Sequence, residues 1–171
     1  MKFTLRDYRP EDFDILWNID QKCFAPGIAY SRPELAAYIR RRGSFTAVAE
    51  ATVRDGGSGS PAGAAQGIVG FIVAEHNRRG VGHIISIDVL PASRRFGVGS
   101  KLLFAAEERL RTISCHAVVL ETAIDNISAL AFYKRHGYSV AKIIPHYYSN
   151  GVDAFVLEKD LHSTAEAIGS G

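Results

Sequence analysis

Apolar positions change their period several times along the chain, and each change marks an element. Residues 2–8 alternate apolar and polar side chains, as a half-buried strand does. From Pro10 the spacing becomes helical, with Phe13, Leu16, Trp17 and Ile19 on one stripe, until Ala25-Pro26-Gly27 breaks it. Ser31 is placed to cap a second helix, with Pro33 and Glu34 in its first turn and Leu35, Tyr38 and Ile39 facing inward. Arg40-Arg41-Arg42-Gly43 suits that helix's end, where cations meet the negative pole of the dipole and Gly suits the exit. Residues 45–53 read as a strand. Residues 54–66, rich in Gly, Ser, Pro and Ala, read as a mobile loop, and residues 67–75 as a strongly apolar strand. The polar turn 76–80 joins that strand to another over residues 81–90, predicting an antiparallel hairpin.

Helical spacing returns after Pro91, where Val98, Leu102, Leu103, Ala106, Leu110 and Ile113 make one face. Residues 117–122 form a short apolar strand of the buried kind. Residues 126–136 carry Ile127, Leu130, Ala131 and Tyr133 at helical spacing and stop at Gly137. Residues 138–144 and 153–157 read as two closing strands. Hairpins in the first half and a strand–helix–strand centre imply a mixed α/β sheet. One domain is expected over residues 1–161, with residues 162–171 as a small, polar, frayed tail.

Composition removes several classes of function. The chain has 171 residues, 47% hydrophobic and 22% charged, which is ordinary for a soluble domain with a sizeable core. A formal charge of +2 gives no bulk attraction for nucleic acid. No apolar run is long enough to cross a bilayer. The start, Met1-Lys2-Phe3-Thr4-Leu5-Arg6-Asp7, is unlike a secretory signal, so a reduced cytoplasm is expected. Cys23 and Cys115 cannot make a disulfide framework, and Cys115-His116 has no partner pair at zinc spacing, so no metal is expected. The six histidines are scattered and read as surface or structural residues. A monomer or weak homodimer is expected.

The densest chemical signal runs Ile87-Asp88-Val89-Leu90-Pro91-Ala92-Ser93-Arg94-Arg95-Phe96-Gly97-Val98-Gly99-Ser100. A buried strand gives way to a turn with two arginines, and two glycines stand at the mouth of an amphipathic helix. The first helical turn leaves N–H groups unpaired at the positive end of the dipole. Glycines keep side chains from blocking an anion there, and arginines add charge-assisted contacts. A Walker loop would need Gly-Lys-Ser/Thr where Gly99-Ser100-Lys101 stands, and a dinucleotide fingerprint would need glycine at Leu102. A glycine-containing turn with two solvated arginines fits the same spacing.

Arg94, Gly97 and Gly99 resemble the signature of the GNAT acetyltransferase superfamily: Gln or Arg, two residues, Gly, one residue, Gly or Ala, placed after a strand. Glu121, Asn126, Ala129, Tyr133 and Gly137-Tyr138 resemble that family's second run. Tyr147-Tyr148, a turn and Asp153-Ala154 look like the closing hairpin of its RimI-type, N-terminal protein (ribosomal-protein-alanine) acetyltransferases. The resemblance implies a mixed, mostly antiparallel sheet of about seven strands flanked by about four helices, with a splayed strand pair holding acetyl-CoA. It implies coenzyme contacts from Ile87, Asp88, Val89, Arg94, Arg95, Phe96, Gly97, Val98, Gly99 and Ser100, and from Asn126, Ala129, Phe132 and Tyr133. It also implies Glu121 as general base, through a water, and Tyr133 as the acid that protonates the departing thiolate. A backbone N–H of the Val89 strand would hold the carbonyl oxygen. Tyr30, Tyr147 and Tyr148 would clamp a protein or peptide N-terminus. A strand-end carboxylate, a core tyrosine and packed strand aromatics are the plainer readings of these residues. A lysine or small amine as acceptor, and a non-catalytic acyl-CoA sensor, also stay open.

Overall fold

The computed structural model describes residues 1–52 and 67–162, so the expected loop over residues 54–66 and the tail after His162 lie outside the described residues. Seven strands form one sheet: β1 (Phe3–Asp7), β2 (Ser44–Ala51), β3 (Gly67–His76), β4 (Val81–Val89), β5 (Ala117–Ala123), β6 (Ser139–Ile144) and β7 (Ala154–Asp160). Their spatial order is β1-β2-β3-β4-β5-β7-β6, and every neighbouring pair is antiparallel except β4 with β5. The helices are α1 (Phe13–Cys23), α2 (Arg32–Arg40), α3 (Val98–Thr112) and α4 (Ile127–Arg135). This is the mixed, mostly antiparallel α/β sheet that the sequence implies.

Each face of the sheet carries its own apolar layer. Leu16 and Ile19 of α1 and Leu35 of α2 pack on Val48, Phe71 and Val73. The α3 stripe of Val98, Leu102, Leu103, Ala106 and Leu110 packs on Val69, Ile72, Ile84 and Val118 on the other face. The second helix starts as expected: Ser31 Oγ accepts from Glu34 N–H, and the Glu34 carboxylate accepts from Ser31 N–H at 2.8 Å. Three residues expected on buried stripes stand outside them, Ala131 of α4 among them. Ile113 is 42% exposed because α3 ends at Thr112, and Ile127 is 70% exposed in the first turn of α4.

Two irregularities in β4 shape the centre. Opposite β3 the register shifts between Val73 and Ala74, which pair with Ser86 and Ile84, so Ile85 is an extra residue that bends the strand. On its other side β4 meets β5 in only three pairs, Val81–Ala117, Gly82–Val118 and His83–Val119. Beyond them β4 follows β3 as far as Val89, while β5 follows β7 as far as Ala123. The two strands therefore part, opening a wedge towards their C-terminal ends, where the turn into α3 begins.

Candidate active site

The turn that closes β4 holds its backbone in a costly conformation. Arg95 has φ +66° and Gly97 φ +81°, both in the left-handed region. Glycine reaches it freely, whereas for arginine it costs about 1–2 kcal/mol. Left-handed residues interleaved in a turn point successive N–H groups into one concavity suited to an anion. Gly97 caps α3 without any side-chain cap bond, so the first amides of the helix keep no intrahelical acceptor. A Cβ built on Gly97 would meet nothing within 4 Å, so protein atoms leave the mouth open. Arg94 Nε donates to Val89 O at 3.0 Å, tying the turn back to the strand. Phe96 is exposed and Val98 is buried in the core.

The α4 side of the wedge is equally specific. Asn126 caps α4, its side-chain oxygen accepting from Ala129 N–H at 3.2 Å. Phe132 approaches Gly99 so closely that a Cβ there would lie 3.4 Å from its ring. His136 clips the two helices together, with Nδ1 2.7 Å from Phe132 O and Nε2 2.9 Å from Ser100 Oγ. A carbonyl only accepts, so Nδ1 carries the proton and Nε2 accepts from Ser100. The Ser100 hydroxyl is thus engaged by His136, and the coenzyme contact expected of this residue falls to its backbone.

The β4 edge supplies backbone groups. Leu90 N–H bonds to Val69 O in β3 at 2.9 Å. Alternation along a strand then turns the N–H groups of Val89 and Ile87 to the opposite, unpaired edge. Both side chains pack on the α3 face. Asp88 does not join them. Its side chain is buried on the α1 face, so a coenzyme contact from this residue is limited to its backbone.

Where β4 and β5 part, His83 Nε2 lies 2.6 Å from Glu121 Oε2. His83 Nδ1 is 3.8 Å from Glu75 Oε1, and Arg41 bonds Glu75 at 3.1 and 3.2 Å. Arg41 also lies over the Tyr38 ring at 4.7 Å. A chain of titratable groups thus runs from the base of the wedge to the surface. His83, Glu75 and Arg41 were missed in the sequence. A histidine within a strand two residues before the Ile85 bulge was the available signal, legible only once the pairing was known.

Tyr38, Tyr147 and Tyr148 lie beside this chain, with Tyr30 packed on Tyr38. Tyr147 and Tyr148 meet edge-on at 4.9 Å, and the Glu121 charge, after burial, helps hold both phenols protonated. Tyr30 lies 5.3 Å from Tyr38 and donates from its hydroxyl to Ile85 O at 3.2 Å, at the β4 bulge. The loop bearing Tyr30 docks on the β6–β7 loop, where Ser149 Oγ donates to Gly27 O at 2.9 Å. Tyr133 is buried near Asp88 and Tyr148, and burial pushes its phenol above the ordinary range. Cys23 donates to Val89 O at 3.4 Å, and burial, with Asp88 beside it, pushes its thiol up to about 11. Such a thiol is a poor nucleophile at neutral pH. A separate concavity of about 830 Å³, lined by Phe104, Glu107, His116 and Lys159 among others, shares only His136 with these groups. Its buried carboxylate, Glu107, is already paired with Lys159 and Tyr138.

A wedge between parting strands, an open turn of backbone amides at one mouth and a chain of titratable groups at its base stand together in one mixed α/β fold. The sequence model of the acetyltransferase (GNAT) family matches residues 13–138, and the chain belongs to that family. An N-alpha-acetyltransferase of Sulfurisphaera tokodaii is 36% identical over 81 residues, 47% of this chain and 48% of that protein. The chain spans about half the length of the curated relatives it matches. Among solved structures, Ard1 from Thermoplasma volcanium superposes with a TM-score of 0.77 at 26% identity, covering 94% of this chain and 98% of that one. The ribosomal-protein-S18-alanine N-acetyltransferase from Escherichia coli shares the fold, with a TM-score of 0.76 at 20% identity and 94% of each chain covered. Among the described residues no helix is long and apolar enough to cross a membrane.

Proposed function

We propose that this protein transfers the acetyl group of acetyl-CoA to the α-amino group of a protein or peptide. The observation that carries this reading is the Glu121–His83 pair at the point where β4 and β5 separate. It stands between an anion cradle on the α3 side and a tyrosine-lined opening on the other. The coenzyme's diphosphate fits the amides after Gly97, and its arm fits the unpaired edge at Ile87 and Val89. The thioester supplies an acetyl carbon open to nucleophilic attack.

An α-ammonium has a pKa of roughly 7.7–8.0, so one weak base frees an appreciable fraction of it near neutrality, whereas lysine, at roughly 10.4, resists. Glu121 takes the proton, directly or through a water, and His83 passes it towards Glu75 and the surface. The N–H groups of the β4 edge steady the oxygen as attack proceeds. Tyr133 acts on the leaving group. A thiol ionises near roughly 8.5, below any phenol and further below a buried one, so full proton transfer from Tyr133 runs uphill. Its hydroxyl instead donates a hydrogen bond to the departing sulfur, which takes its proton from solvent. The protonated Cys23 thiol argues for direct attack by the amine rather than an acyl-enzyme. Tyr30, Tyr147 and Tyr148 line the acceptor's approach. The α-amine assignment draws on the N-alpha-acetyltransferase of Sulfurisphaera tokodaii.

The test incubates the full chain with acetyl-CoA and a mixed library of short peptides and locates the acetylated nitrogen by mass spectrometry. Acetyl on N-termini supports the reading. Acetyl confined to lysine side chains would overturn the acceptor, and coenzyme binding without any transfer would overturn the enzyme.

A further inference from the structure

Two buried carboxyl groups lie outside the proton path just described. Asp20, on the inner face of α1, is 0% exposed, and Asp88, on β4, is 1% exposed. One oxygen of each has a partner. Asp20 Oδ2 accepts Tyr30 N–H at 2.8 Å and the Gln21 amide at 3.1 Å, and Asp88 Oδ1 accepts Ser86 Oγ–H at 2.5 Å. The other two, Asp20 Oδ1 and Asp88 Oδ2, are buried without a donor among the described residues. The two carboxyl groups lie within hydrogen-bond reach of each other. Two bare carboxylates so placed would repel strongly away from water, whereas one proton between them cancels a charge and satisfies both orphan oxygens.

We propose that Asp20 and Asp88 share a single proton, and that this acid pair positions the acceptor wall by fastening α1 and Tyr30 to strand β4. The proposal rests on reading the wedge as the transfer site. Tyr30 is pinned at both ends, by Asp20 at its N–H and by Ile85 O at its hydroxyl. The acid pair thereby joins the wall to the same stretch of β4 that carries the reacting edge. Asp20 and Asp88 are positioning residues, since neither reaches the acceptor. Burial lifts both carboxyls above the usual range, and the charge on Asp20 lifts Asp88 further. Asp20, with two N–H donors, keeps the charge; Asp88 keeps the proton. The ionisable groups facing the pair are Cys23 from α1, Tyr30 from the loop, Glu34 from α2, Arg94 from the turn after β4 and Tyr133 from α4. Glu34 strengthens the hold on the proton and Arg94 weakens it. The single proton is held above the Asp20 value of about 6, where Asp20 carries the charge; because folding raises both values, it is lost, and the fastening with it, as pH rises through the higher Asp88 value.

Carbon-13 NMR of the full chain, labelled at aspartate carboxyls, reads the proton without any turnover. One resonance should stay protonated at pH 7, vanish in Asp88→Asn and titrate at lower pH in Asp20→Asn, where the neighbouring charge is gone but burial remains. Asp88→Asn keeps a donor facing Asp20, so kcat/KM for a peptide should fall only about threefold, while the wild-type decline at alkaline pH disappears. Asp88→Ala removes the donor, and peptide KM should rise about tenfold with kcat and acetyl-CoA affinity little changed. The proposal is overturned if every aspartate titrates in the ordinary range, or if the alkaline decline persists in Asp88→Asn. Should Asp88→Ala fail to fold, the resonance and the Asp88→Asn profile still decide. A protonated resonance in a protein that transfers no acetyl would sink the function and leave the acid pair standing.

Discussion

The two walls of the wedge are built by different means. On the α3 wall the groups that suit a diphosphate are backbone amides of one continuous turn, residues 94–100, held by Gly97 and a left-handed Arg95. On the α1–α2 wall the working groups are side chains from separate elements: Tyr30, Tyr38, Arg41, Glu75, His83, Glu121 and Tyr147. Their meeting depends on strand register, on the β4 bulge and on the docking of two loops. A site made of amides tolerates changes of side chain and fails when the backbone is bent. A site made of side chains fails in small steps, one contact at a time.

Variants can break this contrast, and the largest effect belongs to the amide wall. Gly97→Val forces a β-branched residue to φ +81° at the helix mouth although no protein atom stands in its way. Acetyl-CoA affinity by calorimetry should drop on the order of a hundredfold or more, while the folded core persists. Wild-type affinity would show that the turn is not the cradle. Glu121→Gln comes next, with kcat lowered about a hundredfold and coenzyme affinity held within about twofold. Full turnover would remove it as the base. Tyr133→Phe deletes one hydrogen bond to a developing charge and should cost about thirtyfold in kcat, again without loss of coenzyme binding. Smallest is Arg41→Gln. Its guanidinium is half exposed, so losing the Glu75 bond should change kcat about twofold, and less at high salt. A drop in kcat as large as that of Glu121→Gln would mean that the outer end of the chain matters as much as its base.

The same division governs what could be read before the structure. The α3 turn was legible because its shape resides in a contiguous stretch with a strand before it, glycines within it and a helical stripe after it. The helix cap at Ser31 was legible for the same reason, its bond spanning three residues. His83 was not. It looked like one of several scattered histidines until three parallel pairs set it against β5. Asp88 stood among the coenzyme contacts that the resemblance implied, and the alternation of the strand turns its side chain to the opposite face. Asp20 drew no attention at all: an acidic residue in an amphipathic helix reads as solvated, and only the packing of α1 on β4 buries it. Ser100 fell at the expected place in the turn, but His136, from another helix, occupies its hydroxyl.

By itself the sequence determined the elements, their apolar stripes and the glycine turn before α3, because these follow from periodicity and from interactions a few residues long. Tertiary structure alone decided where β4 and β5 part, which carboxylate meets which histidine, and that two aspartates must face each other away from water. Those outcomes depend on register and burial, and neither is a property of any short stretch of chain.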